Sequence, residues 1–127
     1  MLKFTPVLGI LVLIGSVVQV VLGYQVAGEA GNLVAVHILI GIIGLVLVAA
    51  FAAIAFKVRS ATVYSKITMT VLALIVLVQV VTGFQLLSGA ETLVLSHQAN
   101  AFLIVILSLL TGGITFLSSK RHGQLKT

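Results

Sequence analysis

Cysteine is absent from this chain, and acidic residues are limited to Glu29 and Glu91. The lack of thiols excludes disulfides, thiolate-held iron–sulfur clusters and covalent haem attachment through a Cys-x-x-Cys-His motif. No acid lies within an apolar stretch, which argues against a coupled transporter, since such a protein needs a membrane-embedded carboxylate. Charge of either sign is scarce: charged residues make up 7% of the 127 positions, against 61% hydrophobic. With a mean hydropathy of +1.34, the chain is no soluble domain, and its expected solvent is the lipid bilayer.

What the sequence does have is long apolar runs. A helix needs about 20 mostly apolar residues to cross a membrane, and four stretches reach that length: 6–27, 33–56, 67–87 and 93–117. The reading is an all-α integral membrane protein, a single membrane domain over 1–127, whose four transmembrane helices form an up-down-up-down bundle. Lys3, Lys57, Arg59, Lys66, Lys120, Arg121 and Lys126 fall on one side of this path, and Glu29 and Glu91 on the other. The positive-inside rule then implies a cytoplasmic (plasma) membrane protein with both termini cytoplasmic. The net charge of +5 is assigned to anionic lipid headgroups, and no nucleic acid is expected as a partner. The first apolar run is long for a secretory signal and is read as a spanning helix. A polar tail over 118–127, carrying His122, is expected to be frayed and solvated.

The chain also repeats itself. Val18-Gln19-Val20-Val21-Leu22-Gly23-Tyr24-Gln25 returns as Val78-Gln79-Val80-Val81-Thr82-Gly83-Phe84-Gln85, identical at six of eight positions. The same shift of 60 residues carries His37 onto His97, two of the three histidines. The repeat unit is a helical hairpin, over about 8–57 and about 68–117. Each unit crosses the membrane an even number of times, so the two are parallel repeats about an axis along the membrane normal. Spans one and three should then face each other across that axis, as should spans two and four.

An ionisable side chain within an apolar span is a functional candidate by default. Imidazole in an apolar medium favours its neutral form, which is the form that binds metals. Symmetry puts His37 and His97 at one depth on facing helices, toward the outer face, as two axial ligands for one haem iron. A bare metal ion fits less well, because no carboxylate or third histidine accompanies them within the spans. Gly41 and Gly44 follow His37 at i+4 and i+7, and Ala101 follows His97 at i+4, leaving room for a porphyrin edge. Gly23 and Gly83 fall at a similar depth on the other two spans. Small residues also serve plain helix packing, which is the alternative for these glycines. Gln19 and Gln79 are read as interhelical hydrogen bonders, worth about 0.6 kcal/mol in such settings. Gln25 and Gln85, near the rim, are candidates for bonding haem propionates or a ligand imidazole. Asn100 stands where the repeat has Ile40, so the symmetry breaks there.

A Gln-x-x-x-Gly motif on the odd helices, with a histidine near the outer end of each even helix, resembles one four-helix half of the haem A synthase family in a compact single-bundle form. The matching residues are Gln19 with Gly23, Gln79 with Gly83, and His37 with His97 at the haem-ligand positions. That family's catalytic bundle carries a glutamate three residues before a ligand histidine; Val34 and Val94 stand there in this chain. The family's outer-loop cysteine pair is also missing. The resemblance therefore implies haem binding and the bundle more than synthase chemistry.

Three functions remain open at this point. The first is a membrane b-type cytochrome-like protein with one bis-histidine haem b, for electron transfer or haem handling. A quinone or redox protein would be its partner, in a homodimer or a larger respiratory complex. Two equal axial ligands would leave no open position, so its reduced form should resist carbon monoxide. The second is a haem A synthase-like oxidoreductase, and the third a cofactor-free structural or assembly subunit of a larger membrane complex.

Overall fold

The structure, a computed structural model, describes residues 4–27, 31–59 and 61–124, with side chains over 10–27, 31–59 and 61–112. Lys3, Glu29, Ser60, Lys126 and the side chains of Lys120, Arg121 and His122 lie outside the described residues. Four long helices account for most of the chain: α1 (Phe4–Ala27), α2 (Val34–Lys57), α3 (Val63–Leu87) and α4 (Val94–Gln124). Over their apolar stretches the helices show no single hydrophobic stripe, the pattern of a buried or membrane-spanning helix. All four are long and apolar enough to cross a membrane. The outward surface agrees with this: Leu95 is 77% exposed and Val46 62%, and such apolar faces are compatible with a lipid environment.

Helix ends follow local chemistry. Thr62 caps α3, with its hydroxyl accepting from Ser65 N at 3.1 Å. At the other end of α3, Gly89 takes φ +93°. Its N–H donates to Leu86 O at 3.0 Å, and Ala90 N–H donates to Gln85 O at 3.1 Å. This is a Schellman stop, which asks for glycine because a Cβ is strained at that φ. Short 3-10 turns, Gly31–Leu33 and Glu91–Leu93, lead into α2 and α4, so the 60-residue repeat extends to the connections. One boundary departs from expectation. The tail expected to fray after residue 117 continues as helix to Gln124, since nothing between Ser118 and Arg121 breaks a helix already in progress.

The helices pack as a ring. α1 touches α2 and α4, and α3 touches α2 and α4; among the described residues neither diagonal pair, α1 with α3 or α2 with α4, is in backbone contact. The closest pairings join the hairpins to each other, α1 against α4 and α2 against α3. Val48, Leu72, Val76 and Ile104 form the buried core, with Val12, Leu45, Ala73, Ile75 and Leu107 packed around it. Buried Ser108 and Thr111 donate their hydroxyls back to Ile104 O and Leu107 O, both at 2.7 Å. Packing is thus tightest from mid-bundle toward the Lys57 and Lys66 end. The opposite end is hollow.

Candidate functional site

The hollow end is built from the repeated motif. Gln-x-x-x-Gly sets both residues on one face of a helix, one turn apart. On α1 and α3 that face meets the histidine of the following helix. Each imidazole fits the notch left by its glycine. A Cβ on Gly23 would lie 3.4 Å from His37 Cε1, and one on Gly83 would lie 3.1 Å from His97 Cε1. The glycines therefore hold the rings directly.

The second half of the repeat completes its hydrogen bonds. Asn100 Nδ2 donates to Ile75 O at 3.1 Å and to Gln79 Oε1 at 2.7 Å. With its oxygen so engaged, Gln79 must present its NH₂ to His97 Nε2, 3.1 Å away. An amide nitrogen only donates, so His97 Nε2 accepts and carries no proton. His97 Nδ1 then bears the hydrogen and donates it to Thr82 Oγ1 at 2.9 Å. The Thr82 hydroxyl donates in turn to Val78 O at 2.9 Å. The relay runs in one direction through four side chains and fixes both the tautomer and the orientation of the ring.

In the first half the relay is missing. Gln19 Nε2 donates to the backbone carbonyl of His37 at 2.8 Å, not to its ring. Gln19 Oε1 and His37 Nδ1 are buried and have no partner. The cause is legible in the repeat: Leu22 occupies the position of Thr82, and Ile40 that of Asn100. Without a hydroxyl beside the ring and an amide behind the glutamine, neither orientation is set.

The two rings meet across the bundle axis, although the backbones of their helices stay apart. Their centroids are 6.3 Å apart and the planes lie at 67°. Around them is a cavity of about 720 Å³ lined from all four helices, within the roughly 300–1,000 Å³ typical of small-molecule and cofactor sites. His37, His97, Gly23, Gly83, Gly41, Gly44 and Ala101 all line it. Gly41 has a distinct task there: a Cβ would come within 2.8 Å of Gln19 Nε2, so this glycine admits the glutamine that reaches His37. Gly44 faces open space.

Gln25 and Gln85 are exposed and outside the cavity lining. The glutamines that reach the histidines are Gln19 and Gln79, one and a half turns deeper. Thr82 was not singled out from sequence, yet it is one of only two mismatches in the eight-residue repeat block, and that mismatch was the available signal. Glu91 lies at the cavity's end near the α3–α4 connection. No protein family, curated protein or solved structure matches this chain.

Proposed function

We propose that the chain is a membrane b-type cytochrome-like protein that holds one haem b between His37 and His97, for electron transfer or haem handling. The observation that carries this reading is the spacing of the two rings across the axis. A metal–nitrogen bond of about 2.0–2.1 Å would place two imidazoles holding one ion roughly 6 Å apart between ring centres, provided a nitrogen of each faces the gap between them. The ring centroids lie 6.3 Å apart. Two neutral imidazoles would suit haem iron; His97 Nε2 accepts from Gln79 at 3.1 Å and would have to give up that bond to serve as a ligand. Unpartnered His37 Nδ1 and Gln19 Oε1 also favour a site that is completed by something else.

When bound, the haem would supply reversible one-electron chemistry at its iron. The chain's own residues hold and tune. Gly23 and Gly83 seat the rings, Thr82 accepts from His97 Nδ1, and the lining around the pair is largely apolar. The basic residues Lys57, Arg59 and Lys66 cluster at the bundle end away from the histidines, which supports a cytoplasmic assignment for that end and an outer one for the site. A quinone or a redox protein would exchange electrons there, in a homodimer or a larger respiratory complex.

One observation favours the cofactor-free structural reading: the Asn100–Gln79–His97–Thr82 relay is satisfied as it stands. It covers only half of the site. The haem A synthase-like reading gains nothing from the geometry, because Val34 and Val94 leave both ligand helices without the glutamate of that family. A reduced-minus-oxidised absorption spectrum of the purified protein, beside His37→Ala and His97→Ala, tests the proposal. A sharp six-coordinate b-type spectrum, lost in both variants, is expected. Colourless protein from haem-sufficient cells would refute it.

A further inference from the structure

Two contacts fix the register of α1 against α2. A Cβ on Gly23 would meet His37, and one on Gly41 would meet Gln19. In this antiparallel pair the same register sets Ser16 opposite Gly44 and Val12 opposite Val48. The repeat gives α3 and α4 the matching pairs, Val76 with Ile104 and Leu72 with Ser108. At this level the hairpins differ. Val76 and Ile104 are buried and join Leu72 in the core. Gly15, Ser16 and Gly44 stand where the second hairpin has Ile75, Val76 and Ile104. A Cβ added at either glycine would meet nothing within 4 Å. These two glycines therefore do not serve close packing, the usual task of small residues in membrane helices. They leave a space.

The cavity runs into that space. Its lining continues from Gln19 to Leu11 along α1 and from Gly41 to Val48 along α2. On the facing hairpin it stops at Val76 and Ile104, which wall it, and Leu72, Ile75, Leu107 and Ser108 take no part. At about 1.5 Å per residue, the stretch from Gln19 to Leu11 forms a furrow about 12 Å long below the glutamine. Its sides are open: Leu11, Ile43 and Leu47 line it and are also exposed. α1 and α2 are the least closely packed of the neighbouring helix pairs. On a bundle of four apolar helices, such an opening admits molecules from the lipid.

The lining limits what those molecules can be. Among the described residues no Lys or Arg lines the cavity, so a phosphate or carboxylate head would be desolvated without a partner. The spare polar capacity is for accepting. Ser16 Oγ already donates its hydrogen to Leu13 O at 2.8 Å, and Gln19 Oε1 is buried with no partner. An occupant needs an uncharged head that donates a hydrogen bond, and an apolar tail. A slot between two helices at facing small residues is narrow, and Phe102 adds a ring to the lining, which suits a flat aromatic head. We infer that the furrow between α1 and α2 seats a lipid-soluble hydroquinone, with a ring hydroxyl donating to Ser16 Oγ and the tail leaving between Leu11 and Leu47. As an electron partner this ligand rests on the haem reading above; as a binding site the furrow needs no haem. A quinone has no hydrogen to donate and fits less well than its hydroquinone.

Anaerobic calorimetric titration of the full chain in detergent micelles with a decyl-substituted benzohydroquinone tests this, with empty micelles as the blank. Wild type is expected to bind the hydroquinone about tenfold more tightly than its dimethyl ether, the upper scale of one hydrogen bond. Ser16→Val, which copies Val76, should remove that preference. Gly44→Ile, which copies Ile104 and fills the furrow, should weaken binding of both compounds by about tenfold or more. Circular dichroism checks that each variant folds, and Ser16→Val alone decides the matter if Gly44→Ile does not. Equal binding of the hydroquinone and its ether by wild type, equal binding of monodecanoylglycerol, or an unchanged preference in Ser16→Val would overturn the inference. No binding by protein that shows a b-type spectrum would overturn it and leave the haem reading standing. Selective binding by protein that stays colourless in haem-sufficient cells would support the furrow and refute the haem.

Discussion

Gly23 and Gly83 occupy equivalent repeat positions, and replacing each by alanine should have unequal effects. In a helix interior alanine is favoured over glycine by about 0.8–1.0 kcal/mol. At Gly23 the new methyl would lie 3.4 Å from His37 Cε1, an ordinary contact, so Gly23→Ala should stabilise the bundle by about 1 kcal/mol. At Gly83 the distance is 3.1 Å, and His97 must give way by a few tenths of an ångström. His97 cannot do so freely, because it is bonded at 2.9 Å and 3.1 Å on its two sides. Such a shift takes both bonds toward the edge of useful geometry. At about 0.6 kcal/mol for each interhelical polar bond, losing two costs about 1.2 kcal/mol and cancels the gain in helix propensity. The two variants should then differ by about 1.2 kcal/mol, or roughly sevenfold in the unfolding equilibrium, since about 1.4 kcal/mol is tenfold. Reversible unfolding in mixed micelles, followed by circular dichroism, reads this difference. Equal shifts of the same sign would refute the account of a ring clamped at His97 and loose at His37.

Two further outcomes are expected. Gly41→Ala should dislodge Gln19 from His37 O, since the new methyl would lie 2.8 Å from Gln19 Nε2, while Gly44→Ala, which meets nothing within 4 Å, should stabilise by up to about 1 kcal/mol; the same unfolding titration separates them. Gly89→Ala should destabilise by about 1 kcal/mol because φ is +93° at that residue, and amide hydrogen exchange should show the loss confined to the end of α3.

Much of this architecture is legible from apolar run lengths. A run of about 20 apolar residues closes its backbone hydrogen bonds within itself, so α1, α2, α3 and the start of α4 could be bounded to within a few residues. The end of α4 is an instructive miss. Lys120 and Arg121 mark where a lipid-facing stretch stops, and a helix has no reason to stop where hydrophobicity does. Gln25 and Gln85 teach a related lesson. They sit at suggestive depth, but depth alone does not choose the helix face, and their faces turn outward. Gln19 and Gln79 share a face with Gly23 and Gly83, which is why the i+4 spacing places them near the rings.

The sequence by itself determined the four helices, the 60-residue repeat and the pairing of His37 with His97 within it, because run length and period are one-dimensional quantities. Tertiary structure alone decided that the rings meet at 6.3 Å, that Gly41 makes way for Gln19, and that one imidazole is bound on both sides while the other is bound on neither. These depend on which atoms of separate helices approach within about 3 Å, the range of a hydrogen bond. A repeat records that two segments are alike, whereas the packing turns the few positions at which they differ, Leu22 against Thr82 and Ile40 against Asn100, into an unequal pair.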